Sequence, residues 1–148
     1  MIPTELLRYY PYFAGVSNES LKAVAAIGEE ETVGAGKTVF KEGDPARSLY
    51  LVVSGQVEIT LELGNGRSVV VDTVVPGDLT GWSAFIEPYR LRATAIARRE
   101  SKLIAIDAEK LRKLCDEDNA LGYRLMRQIA GALSHRFNGA LTQIAASG

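Results

Sequence analysis

Cysteine and histidine are almost missing from this chain of 148 residues, which has one of each, Cys115 and His135. One cysteine excludes an intrachain disulfide, and a reducing cytoplasm is the expected compartment. His135 has no cysteine or acid three or four positions away, so no metal-ligand spacing is present. It also lies far along the chain, and with no strained G-x-S-x-G turn a Ser-His-acid group cannot be assembled. No enzyme is expected. Charge of one sign is lacking too: 17 basic and 18 acidic side chains leave a formal net charge of -1. No global field therefore draws nucleic acid or an anionic membrane surface, and any charged partner must meet a local patch. Long apolar runs are absent; Leu49 to Val53 is broken at once by Ser54 and Gly55, far short of the roughly 20 residues that span a bilayer. Met1 to Tyr12 lacks the basic start and apolar stretch of a secretory leader. There is no P-loop, internal repeat, linker or acidic tail.

What is present suits one compact domain, residues 1–148, with 47% hydrophobic side chains to fill a core. Residues 1–28 read as N-terminal helices: ELLRYYPYF is a short amphipathic turn, and Ser17 is placed to cap a helix from Asn18 to Ile27 that stops at Gly28. Residues 29–107 alternate short β-branched runs with turn residues, the pattern of a small β barrel or sandwich. Val57 to Leu63 alternates cleanly, Gly64-Asn65-Gly66 offers the positive φ angles of a hairpin, and Pro76-Gly77-Asp78 closes the returning strand. The Glu29-Glu30-Glu31 triplet reads as a solvated strand edge. Residues 108–148 are helical again, opened by Asp107 as an N-cap. From Asn119 to about Ala146 an apolar stripe runs through Leu121, Leu125, Ile129, Leu133, Phe137, Ala140, Leu141 and Ile144. A helix of that length spans on the order of 40 Å, longer than a small β domain, so part of the stripe is expected to meet a second copy.

Several segments together resemble the cyclic-nucleotide-binding domain of catabolite activator proteins, protein kinase A regulatory subunits and gated channels. PYFAGVSNESLKAVA is similar to the family's leading helix. Gly36-Lys-Thr-Val-Phe-Lys-Glu-Gly-Asp44 and Ser48-Leu-Tyr-Leu-Val-Val-Ser-Gly55 resemble its opening strands, and the match extends over Pro76 to Ile106 and the final helix. The resemblance implies a mainly β fold, a double-stranded β-helix jelly roll with N-terminal helices and a long C-terminal helix.

The piece resembling the family's phosphate-binding cassette is Gly81 to Ala95. By that resemblance Gly81 precedes a short helix whose Ser83 and Ala84 backbone N–H groups face an anion. The family's ribose-binding glutamate is replaced by Trp82. The phosphate-binding arginine falls on Leu91, in the register that aligns Ala93-Thr94 with the family's small pair, and Arg90 and Arg92 flank it. Each lost charge-assisted bond is worth roughly 1.5–3 kcal/mol, so both losses move a micromolar site toward millimolar. Trp82 either stacks on a base or fills a vacated cavity. Arg90 and Arg92 are phosphate ligands or solvated charges, and Ser83 donates to an anion or caps the helix from Ala84. The expected function is a non-catalytic regulatory domain needing no cofactor, with cyclic AMP or cyclic GMP as candidate ligand. It is expected to dimerise through the 119–146 helix and act on a separate effector protein. The alternative is a ligand-free dimeric interaction module with Trp82 filling the pocket. An enzyme on the related cupin jelly roll would need the absent histidine cluster. Direct DNA binding is not expected: the sequence ends at Gly148 before any helix-turn-helix, and Arg124, Arg127 and Arg136 read as a solvated helical face.

Overall fold

A computed structural model describes residues 1–147, so Gly148 lies outside the described residues. Two antiparallel four-stranded sheets form a sandwich. One has the order β1 (Gly28–Val33), β8 (Ser101–Asp107), β3 (Ser48–Ser54), β6 (Leu79–Thr80). The other runs β2 (Thr38–Phe40), β7 (Thr94–Ala97), β4 (Val57–Glu62), β5 (Ser68–Val74). Helices α1 (Thr4–Arg8), α2 (Asn18–Ala26), α3 (Ala108–Glu117) and α4 (Asn119–Ser147) flank it, with a 3-10 turn at Pro11–Phe13. This is the jelly roll with N-terminal helices and a long C-terminal helix that the sequence motifs imply.

Strand β8 shows why the helices cover only one sheet. Leu103 faces the space between the sheets with Val52, Val57, Ile59, Val74 and Ala95. Its neighbours Ile104 and Ile106 join Leu49, Leu51 and Leu79 against Leu7, Phe13, Val24, Leu111 and Leu125 from the helices. Successive residues point to opposite faces, so a strand covered on both sides reads as a continuous apolar run. The second sheet has no helical layer, and its strand β4 alternates buried Val57 and Ile59 with the less buried polar Glu58 and Thr60.

Local signals hold at most element ends. Ser17 Oγ accepts from the Ser20 N–H and Asp107 Oδ1 from the Lys110 N–H, capping α2 and α3. β1 is an exposed edge, with Glu29 on the N-terminal ammonium at 2.7 Å and Glu30 on Lys102 at 3.3 Å. Four details differ. The first segment is α1 plus a separate 3-10 turn, because Pro11 has no N–H to continue the helix. α2 ends at Ala26, and Gly28 opens β1, where a Cβ would stand 3.0 Å from the Ile2 side chain. In the 64–66 turn only Gly66 has positive φ, at +79°. The fourth concerns the stripe of α4. Leu121, Leu125 and Ile129 are packed inside this chain's own core, at 2%, 0% and 5% exposure. They are unavailable to a second copy, which corrects their place in the expected interface. Phe137, Leu141 and Ile144 are exposed instead.

Candidate functional site

The candidate site begins where β6 ends. Gly81 takes φ +83° and passes so close to β3 that a Cβ would lie 2.9 Å from the Ser48 carbonyl oxygen. Only glycine meets both demands. The chain then makes a single 3-10 turn, Trp82–Phe85, in which the Ala84 N–H donates to Gly81 O at 3.0 Å. This corrects two expectations. The Ala84 donor is spent inside the turn, and its side chain is buried; Gly81 rather than Ser83 is the N-cap, with no side-chain cap. Ser83 is half-buried with its hydroxyl free of protein partners.

The return to β7 fixes the three residues around the expected phosphate base. Leu91 exchanges backbone bonds with Asp44 and Gly43 at 2.9 and 2.8 Å, and its side chain, 7% exposed, packs with Ala46, Ala84 and Ala108. With Leu91 turned inward, Arg90 and Arg92 are both exposed. Arg90 Nη1 donates to the Gly43 carbonyl at 3.0 Å, so it fastens the β2–β3 loop. Arg92 has no hydrogen bond or ion pair among the described residues. Of the two arginines it is the one left for an anion. Ala93 packs against the inner core, and Thr94 Oγ1 accepts from the Glu42 N–H at 3.0 Å.

Two arginines from the C-terminal helices hold this segment from behind. Arg112 of α3 donates to the Ala84 carbonyl at 2.6 Å, and its guanidinium carbon stands 4.0 Å from the centre of the Tyr89 ring. Arg136 of α4 lies 5.0 Å from the centre of the Trp82 ring. Its Nε is 3.5 Å from Asp72 of β5 and its Nη2 is 3.8 Å from Asp78. The side chain is 16% exposed, and Nη1 is buried with no acceptor. Beside Asp78 the Tyr12 hydroxyl donates to Gly77 O at 3.1 Å; burial raises its pKa, the Asp78 charge adds to this, and Arg136 opposes it.

Asp72, Asp78 and Arg136 line a cleft of about 810 Å³ between β5 and α4, walled by Val70, Leu133, Phe137 and Ala140 with Trp82 on one side. Trp82 is thus part of a wall that leaves the cleft open. Arg136 corrects the reading of a solvated arginine face; Asp78 was read only as part of a strand-closing turn, and Asp72 and Arg112 were not singled out by sequence. One signal was available: Arg136 stands seven residues after Ile129 and three after Leu133, on the buried stripe itself. A charge there needs partners from another element.

His135 is exposed, and among the described residues no cluster of metal-ligating side chains occurs. No described helix is long and apolar enough to cross a membrane.

The family model described as "Cyclic nucleotide-binding domain" matches residues 30–118. The chain belongs to this family. A crystal structure from Geobacter metallireducens GS-15, described as a cyclic nucleotide-binding protein, is 35% identical over 93% of this chain and 99% of its own, with a TM-score of 0.84. The N-terminal domain of a transcriptional regulator from Streptomyces coelicolor A3(2) is 31% identical, covering 88% of this chain and 93% of that domain, with a TM-score of 0.70. The CRP-like cAMP-activated global transcriptional regulator of Mycobacterium tuberculosis (strain CDC 1551 / Oshkosh) is 26% identical over 90% of this chain. The chain spans about 60% of that regulator's length. Two of these three relatives are named as transcriptional regulators, and the expectation of no direct DNA binding is not supported.

Proposed function

We propose that this cyclic nucleotide-binding domain is a non-catalytic regulatory unit, residues 1–148, that needs no cofactor. A cyclic nucleotide or another small anion engages the cassette weakly, and the response leaves through α4 to an effector protein. One observation supports this reading above the others: Arg136 of α4 rests on Trp82 of the cassette, so a ligand that shifts the cassette turn acts on the helix through that contact. A ligand shifts an equilibrium only through contacts that differ between its states. Arg92 and the Ser83 hydroxyl, both without protein partners, are the candidate anion contacts, with Gly81, Ala93 and Thr94 shaping the backbone around them. Two copies join through the distal part of α4, where Phe137, Leu141 and Ile144 are exposed.

Calorimetric titration with cyclic AMP and cyclic GMP tests the ligand, followed in parallel by the emission of Trp82, the only tryptophan. Heat in the submillimolar to millimolar range, abolished by Arg92→Ala, is expected. Absence of heat and of any fluorescence change at millimolar nucleotide overturns the reading. It would favour a second one, a ligand-free dimeric module, for which the observation is that Trp82, Asp72 and Asp78 already have a partner in Arg136.

A further inference from the structure

The corner where Arg136 rests is built for a positive charge. Two carboxylates, Asp72 and Asp78, meet an indole face, and the guanidinium of Arg136 is seated among them. The charges lining the cleft are these three, beside a His135 that carries none in the neutral formal count. One negative charge is therefore in excess with Arg136 seated, and two without it. An anion entering this corner meets repulsion, whereas a cation meets carboxylates and the negative face of an aromatic ring.

Arg136 also fits imperfectly. Its carboxylate distances, 3.5 and 3.8 Å, exceed the 2.7–2.9 Å typical of charge-assisted bonds. Its Nη1 is buried without an acceptor. A side chain tethered to α4 reaches the corner but does not satisfy it. A head group free of that tether can shorten both contacts, and the neighbouring walls of Val70, Leu133, Phe137 and Ala140 offer apolar surface for the body behind it.

We propose that Trp82, Asp72 and Asp78 form a recognition site for a guanidinium or amine head group, with Arg136 as its resident occupant. The ligand class able to take its place is an organic cation with an apolar body. Displacing Arg136 frees the distal part of α4, which otherwise touches the core through partly buried Ala132 and Leu133. This goes beyond the regulatory reading above and does not depend on which anion the cassette takes.

Benzylguanidinium is the probe, titrated at constant ionic strength into the wild type and into Arg136→Ala, with Trp82 emission as readout. Saturable binding is expected in both, at least about tenfold tighter in Arg136→Ala, where the tethered competitor is gone. Asp72→Asn added to that variant should weaken binding by about tenfold or more. In the wild type the probe should speed amide exchange over residues 133–146. Benzylsulfonate, with the same body and opposite charge, should do nothing. A response to the sulfonate equal to that of the cation, or no saturable response in folded Arg136→Ala, overturns the proposal; Arg136→Gln replaces that variant if it does not fold. The anion reading is separately visible, because its heat depends on Arg92 and not on Asp72.

Discussion

The two halves of α4 carry one uninterrupted apolar stripe yet meet opposite surroundings. In the proximal half Leu121, Leu125 and Ile129 are buried in the helical side of the core, where α4 packs on α3 and the Pro11–Phe13 turn. In the distal half Phe137 and Ile144 are 63% and 68% exposed, and Arg136 makes a polar attachment to the sandwich on Asp72, Asp78 and Trp82. Glycines repeat the contrast. A Cβ on Gly122 would press to 3.1 Å on Cys115, while Gly131 and Gly139 have nothing within 4 Å. A periodic stripe shows that a helix has an apolar face; it does not show how far along the helix the chain's own core extends.

The largest effect expected from breaking this contrast is in the proximal half. Leu125→Ala should cost about 2–5 kcal/mol of stability in urea unfolding, because a wholly buried leucine leaves a cavity. Leu125→Glu should fail to give folded protein at all. The distal counterpart, Leu141→Glu combined with Ile144→Glu, should leave the urea midpoint nearly unchanged and lower the sedimenting mass from dimer to monomer. An unchanged mass removes the proposed interface.

A middle-sized effect is expected at the cassette. Arg112→Ala should cost about 1–3 kcal/mol through the buried Ala84 carbonyl it leaves unpaired, and should speed amide exchange over residues 84–89. Gly131→Ala and Gly139→Ala sharpen the helix comparison. Each should stabilise the monomer by up to about 1 kcal/mol, since the added methyl group meets open space. If they instead weaken the dimer, the partner helix approaches closely at those positions.

The smallest effect lies at the α3–α4 junction. The Ser20 hydroxyl donates to Asp118, and with the Leu121 N–H it holds the Asp118 carboxyl below its ordinary pKa. A depressed folded pKa means stability that is present above the unfolded value and lost as pH falls through the folded one, hence below about pH 4. Ser20→Ala should raise the Asp118 pKa toward the usual range in a carboxyl NMR titration and flatten the acid limb of stability. At Cys115, burial first and the charges of Asp116 and Asp118 next raise the thiol pKa to about 11, so alkylation at neutral pH should be slow.

Much of the fold was legible because its signals are local. Ser17 and Asp107 cap the helices they precede, the alternation of β4 reflects a strand with one covered face, and Gly81 precedes the short cassette turn as the resemblance implied. The site was legible only in part. Trp82 stands out in a sequence with one tryptophan, and its position beside Gly81 marked it as unusual. What Trp82 touches was not legible, since Asp72, Asp78 and Arg136 lie far apart along the chain and no spacing rule links them.

The order of helices and strands, the caps and the turns follow from residue type and spacing, because hydrogen bonding and φ preferences act over a few residues. Tertiary structure decided the rest. It turned Leu91 into the small cluster with Ala46, Ala84 and Ala108, leaving Arg92 unpartnered, and it ended the core contacts of α4 near Leu133. It also placed a guanidinium between two carboxylates on an indole face. Those outcomes depend on which distant surfaces meet, and a charge buried along an apolar stripe finds its partners only once the sheets and the helix have packed.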